Sequence, residues 1–150
     1  MSIPISVDTP VEHVVIRGKA DGFLQEASAG KYNFRVDEPL SVGGTESAPD
    51  PYDYLLTALG SCTSMTIGLY ARRSKIPLDE ITVRLSHSRI HAEDCETCQT
   101  KKGMLDRIDL KIKLTGPITP EQHAKLMEVA AKCPVHRTLK SEIDIRLRPA

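Results

Sequence analysis

An uninterrupted uncharged run, Tyr54 to Ala71, stands out in a chain in which 27% of residues are charged, and few folds accommodate such a segment. Its length raises the question of a membrane span. Thr57, Gly60, Ser61, Thr63, Ser64, Thr66 and Gly68 leave it only weakly apolar, so a buried helix in a soluble protein fits better. Asp50-Pro51 supplies the start, with an acidic N-cap, proline at the first helical position and Asp53 near the positive end of the dipole. Leu55, Leu59, Cys62 and Thr66 then share one face, and Leu56, Thr63, Ile67 and Tyr70 line the adjacent one. A helix apolar over most of its circumference needs cover on several sides, which points to an intertwined dimer.

The segments around this helix read as strands and one further helix. Val11 to Gly18, Gly22 to Ser28 and Lys31 to Asp37 are short β-branched or alternating runs separated by turn signals, an N-terminal antiparallel meander. Glu38 to Asp50 carries Pro39, Gly43, Gly44 and Pro49 and reads as an irregular loop. Beyond Pro77, Ile81 to Ser86 alternates as a strand that extends toward His91. Ile108 to Leu114 is the cleanest period-two run, with one wet face. Thr119-Pro120-Glu121-Gln122 is a capping box with proline at N1, after which Leu126, Val129, Ala130 and Cys133 continue on one face to the Cys133-Pro134 junction. A last strand is expected from Ile143 to Leu147. This order is that of an α+β fold rather than a regularly alternating parallel one.

Size and charge narrow the function classes. The 150 residues make one ordinary domain, 1–150, large enough to bury a core. Lys plus Arg and Asp plus Glu each number 20, and zero net charge gives no reason to expect nucleic acid or an anionic membrane as a partner. Met1 to Thr9 lacks the basic and apolar regions of a secretory signal, so a cytoplasmic location is expected. Four cysteines are too few for a disulfide-dense secreted scaffold and read as redox or metal groups.

Two of those cysteines suggest thiol chemistry. Cys62 lies within the uncharged helix, where a thiolate is shielded from bulk water, and Cys133 lies where the second helix should end. A buried thiol with a partner able to approach it can take up an oxidising equivalent as a sulfenic acid and pass it on as a disulfide. Two inert core cysteines fit the same residues, since free Cys is among the most buried residue types. Cys62 gains little from its own helix dipole, which fades beyond the first turn. An activating cation or hydrogen-bond donor must come from elsewhere, with Arg17, Arg35, His136 and Arg137 as candidates; without one, burial raises the thiol pKa. His136 and Arg137 equally suit a helix end, and Asp53 equally suits a helix first turn. The separate Cys95-Glu96-Thr97-Cys98 motif, preceded by His87 and His91, is half a zinc site, an accessory redox pair, or an exposed loop with two thiols.

The stretch Asp50-Pro51-Tyr52-Asp53-Tyr54-Leu55-Leu56-Thr57-Ala58-Leu59-Gly60-Ser61-Cys62-Thr63, followed about 70 residues later by Cys133-Pro134-Val135-His136, resembles the OsmC/Ohr family of osmotically inducible and organic-hydroperoxide-resistance proteins. The likeness runs from about Val14 to the C-terminus. It implies an OsmC-like α+β fold in which antiparallel sheets wrap long central helices of an intertwined homodimer. It also implies thiol-dependent peroxidase activity, with Cys62 as the peroxidatic and Cys133 as the resolving thiol, an organic hydroperoxide as substrate, and a lipoyl or thioredoxin-type dithiol as reductant. No cofactor is implied. The family's acidic residue is matched by Asp53, one methylene shorter, with Glu46 as a possible substitute. Arg17 is a nearby candidate for the arginine that pairs with that carboxylate. Two further readings are a small-ligand-binding or redox-sensing protein without turnover, and a metal-binding protein using Cys95 and Cys98.

Overall fold

The structure is a computed structural model that describes residues 12–150. The absence of a secretory signal over Met1 to Thr9, and the start of the first expected strand at Val11, lie outside the described residues. The chain divides between Leu55 and Leu56 into two compact units. The first holds a meander of β1 (Val14–Gly18), β2 (Gln25–Ala29) and β3 (Tyr32–Val36), paired antiparallel in the order β1-β2-β3. Register follows the turns: Ile16 faces Ala27, and Ala27 faces Phe34. Beyond it the loop is pinned by buried Asp37, whose carboxylate accepts from the backbone N–H groups of Glu38, Thr45 and Ser47 and from both hydroxyls. These bonds to the charged form hold the Asp37 carboxyl well below the usual carboxylate range, the Thr45 hydroxyl contributing most.

Helix α1 (Pro51–Arg73) begins as the sequence indicates. The Asp53 backbone N–H donates to Asp50 Oδ1 at 2.8 Å, and the Asp50 N–H donates back to Asp53 Oδ2 at 3.0 Å, a reciprocal cap. Three of its hydroxyl-bearing residues are satisfied within the helix. The Ser61, Thr63 and Thr66 hydroxyls donate to the carbonyls of Thr57, Leu59 and Cys62 at 2.7 to 2.8 Å. Buried Thr63 therefore carries no unmet polar group, which is how a weakly apolar helix tolerates burial.

The second unit holds the rest of α1, the hairpin β4 (Glu80–His91) and β5 (Met104–Thr115), α2 (Pro120–Ala130) and α3 (Pro134–Lys140). Each hairpin strand has 12 residues in continuous antiparallel register, longer than the period-two runs that announce them. Helix α2 carries the expected cap: Thr119 Oγ1 accepts from the Gln122 N–H, and the Gln122 side chain accepts from the Thr119 N–H. The core joins Ile67 and Ala71 of α1 to Leu126 and Ala130 of α2, with Ile81, Ile112 and Leu114 of the hairpin packed against them. At Gly60 the helix runs so close to β4 that a Cβ would lie 2.6 Å from Leu85 Cδ1. Glycine there permits the approach of backbone to sheet. Among the described residues no helix is long and apolar enough to cross a membrane.

Two expectations are corrected. The segment Ile143 to Leu147 forms no strand: Ile145 and Leu147 are 77% and 91% exposed, and the alternating run has no ladder to join among the described residues. The second helix stops at Ala130, and a new helix starts after Cys133. Pro134 cannot continue α2, because it has no N–H and disfavours a helical residue before it, but it suits the first position of α3.

Candidate active site

Cys62 sits on the fourth turn of α1, beside the buried stripe Leu59, Thr63, Ile67 and Ala71, and is itself half-buried. Cys133 is fully buried at the N-cap of α3. Here Cys133 takes the place usually held by an oxygen-bearing cap: its Sγ accepts from the His136 N–H at 3.4 Å. The two thiols are near enough to interact, the Cys133 side chain and the backbone N–H of Val135 both acting on the Cys62 thiol. The second unit alone thus brings together two residues 71 positions apart (133 − 62).

Burial pushes the Cys62 thiol up, as removal from water disfavours the thiolate. The hydrogen bond to Cys133 and the charge of a Cys133 thiolate push in the same direction. The Val135 N–H and the Thr66 hydroxyl oppose them by stabilising a Cys62 thiolate, and the net direction is upward. The helix dipole offers Cys62 no relief, because the sulfur lies twelve residues beyond Asp50, about 18 Å from the helix start. The resulting site is a close thiol pair in which the outer sulfur, Cys62, is reachable and the inner one, Cys133, is shielded.

The remaining candidates lie in the first unit. Asp53 is engaged in the α1 cap described above, Glu46 is exposed in the loop with a left-handed backbone (φ 55°), and Arg17 is exposed on β1 opposite Glu26. Arg17, Arg35 and Glu26 line a cavity of about 590 Å³ in that unit with Tyr54, whose hydroxyl donates to the Arg35 carbonyl at 2.6 Å. The groups that act on the Cys62 thiol are Cys133, Val135 and Thr66, and none of them is a cation. Of these, the Val135 N–H escapes a reading of side-chain types. The signal that reveals it is proline directly after a cysteine, which marks a helix start.

Cys95 and Cys98 are joined by a disulfide with Cα atoms 5.5 Å apart, so neither sulfur is a free thiolate ligand in this state. His87, one of the two histidines that precede the motif, is 2.9 Å from Asp106 on the paired strand. Among the described residues no group of three or more His, Cys, Asp or Glu side chains could hold a metal ion.

The fold is similar to that of several solved structures. The OsmC-like protein of Mycoplasma pneumoniae aligns with a TM-score of 0.67 at 20% identity, covering 89% of each chain. An organic hydroperoxide resistance protein of Legionella pneumophila aligns at 0.64 and 18% identity, and one of Elizabethkingia anophelis at 0.61 and 19%. Both of these cover 93% of this chain and 94% of their own. No curated protein matches the sequence. The profile of the OsmC-like protein family matches residues 44–148, which include α1, both hairpin strands and both members of the thiol pair, and the chain therefore belongs to the OsmC-like protein family.

Proposed function

We propose that the protein is a thiol-dependent peroxidase that reduces organic hydroperoxides in oxidative-stress defence. The observation that carries this reading is the interaction of half-buried Cys62 with buried Cys133 at the start of α3. The Legionella and Elizabethkingia neighbours are organic hydroperoxide resistance proteins, which supports the substrate class.

The chemistry follows from the placement. The Cys62 thiolate attacks the O–O bond of ROOH, the alcohol leaves, and Cys62 becomes a sulfenic acid. The Cys133 thiol condenses with it, releasing water and forming the Cys62–Cys133 disulfide. A dithiol of lipoyl or thioredoxin type then restores both thiols by exchange. Since Cys62 is the more exposed of the pair, peroxide meets it first, and Cys133 resolves. Asp53, with Glu46 as substitute, and Arg17 are proposed as the carboxylate and guanidinium that assist the thiolate, as in the family. The apolar run around Cys62 favours bulky organic peroxides over hydrogen peroxide.

A homodimer in a reducing compartment such as the cytoplasm completes the reading. On α1, Leu55 and Met65 are exposed, as are Val14 and Ile16 of β1 and Ile143, Ile145 and Leu147 near the C-terminus. Unpaired apolar surface of this extent calls for a partner, and a second copy supplies it.

The test is peptide mapping after one equivalent of cumene hydroperoxide is added to the reduced protein. A rapid Cys62–Cys133 bridge is expected in the wild type, and a trapped Cys62 sulfenic acid in Cys133→Ser. If Cys62 stays reduced, the peroxidase reading fails.

A further inference from the structure

The Cys95–Cys98 disulfide has no part in the reaction above, and its surroundings give it one. Both cysteines are half-buried rather than sealed, so a small dithiol can reach the bond. They line a cavity of about 380 Å³ together with Leu59, His136, Arg107 and Lys140. Leu59 lies three residues before Cys62 on α1, and His136 lies three residues after Cys133, to whose sulfur its N–H is bonded. The cavity therefore touches the bonded pair on one side and residues one helical turn from each thiol of the active pair on the other.

A purely mechanical role for this disulfide is weak. It closes a loop of only a few residues, the least stabilising case in the chain-entropy account. The strands that flank it are already held in register over their whole length, to His91 opposite Met104. By contrast, Cys-x-x-Cys pairs are the usual geometry for exchange, because the second thiol lies poised to displace whatever the first has bonded. Arg107 and Lys140 bring two positive charges to the same cavity against one negative charge from Asp106, a balance that favours thiolates once the bond is opened.

We propose that Cys95 and Cys98 form a relay that accepts electrons from an external dithiol and delivers them to the Cys62–Cys133 disulfide. The inference rests on the peroxidase reading. In the first step a dithiol reduces the Cys95–Cys98 bond, becoming a cyclic disulfide itself and leaving two thiols. One of these, as thiolate, attacks the exposed sulfur Cys62. The Cys62–Cys133 bond breaks, and Cys133 departs as a thiolate that accepts the His136 N–H and then a proton. The second thiol of the pair attacks its own neighbour in the mixed disulfide, re-forming Cys95–Cys98 and releasing Cys62. Two electrons and two protons pass from the dithiol to the active pair, and the relay returns to its oxidised state.

The experiment compares wild type with the Cys95→Ser/Cys98→Ser double variant, using cumene hydroperoxide as oxidant and dihydrolipoamide as reductant. Formation of the Cys62–Cys133 bridge by one equivalent of peroxide is expected to proceed at the wild-type rate in the variant. Steady turnover with dihydrolipoamide is expected to fall at least tenfold. In one of the single variants, Cys95→Ser or Cys98→Ser, a disulfide linking the remaining cysteine to Cys62 is expected to accumulate. Turnover of the double variant within twofold of wild type would overturn the relay, as would stoichiometric zinc retained by the reduced wild type and lost in the variant. Failure of wild type to form the Cys62–Cys133 bridge removes the peroxidase reading instead, and with it the relay's acceptor.

Discussion

Replacing Leu126 with alanine tests whether the contact between α1 and α2 sets the stability of the second unit. Leu126 is fully buried, and its neighbours in the cluster include Ala71 and Ala130, which have no side-chain reach to close the space left behind. Leu→Ala changes in cores cost about 2–5 kcal/mol, with the larger values where the site cannot collapse, so a loss of about 3–4 kcal/mol is expected. With an unfolding entropy of ~2.1 cal/mol/K per residue, a chain of this length loses about 10 °C in Tm for ~3 kcal/mol. Urea denaturation followed by circular dichroism gives the free energy, and the slope m should stay unchanged. The control is Glu128→Ala on the same helix, where an exposed carboxylate pairs with Lys125 at 3.2 Å and Lys132 at 3.9 Å. Exposed pairs contribute about 0–1 kcal/mol, so this variant should barely move the midpoint. The packing account is refuted if Leu126→Ala costs less than about 1 kcal/mol or no more than the control.

Alkylation of Cys62 by iodoacetamide should keep accelerating as pH rises past the ordinary thiol value of ~8.5, because its thiol is raised by burial and by Cys133. Cys133→Ala removes two of the raising causes, and its profile should move to lower pH; a plateau below pH 8 in the wild type contradicts the assignment. Thr119→Ala removes one half of the reciprocal cap with Gln122 and should cost about 1 kcal/mol in urea denaturation, whereas Thr119→Ser should cost little. Replacing exposed Ile145 and Leu147 together by aspartate should shift the proposed homodimer toward monomer in sedimentation, and an unchanged sedimentation profile would show that these side chains lie outside any interface.

Most of the fold is legible because its signals are local. Thr119-Pro120-Glu121-Gln122 determines where α2 begins through bonds between neighbours, and the alternation from Ile108 to Leu114 fixes which face of β5 is wet. The same locality explains the misreading of Ile143 to Leu147. Alternation states that a segment suits a ladder but says nothing of where the ladder is, and among the described residues no strand pairs with it. Asp37 was invisible for a related reason: its partners Thr45 and Ser47 are eight and ten residues away in an irregular loop, with no period to connect them. The thiol pair was legible as a motif, while its electrostatics were not, since burial and the Val135 N–H are properties of packing.

The start of α3 ties sequence to chemistry most closely. Proline at the first helical position has no N–H, so the first free donors of the helix belong to Val135 and His136. One acts on Cys62 and the other on Cys133, so that successive backbone groups serve the two sulfurs separately. A residue with an N–H in place of Pro134 would add a third donor beside the same two acceptors and loosen the backbone that aims the others. Burial raises the Cys62 thiol, and the Val135 N–H limits the rise without abolishing it. The Cys62 thiol is thereby held above its ordinary value, while a thiolate formed at either sulfur finds a backbone donor already in place.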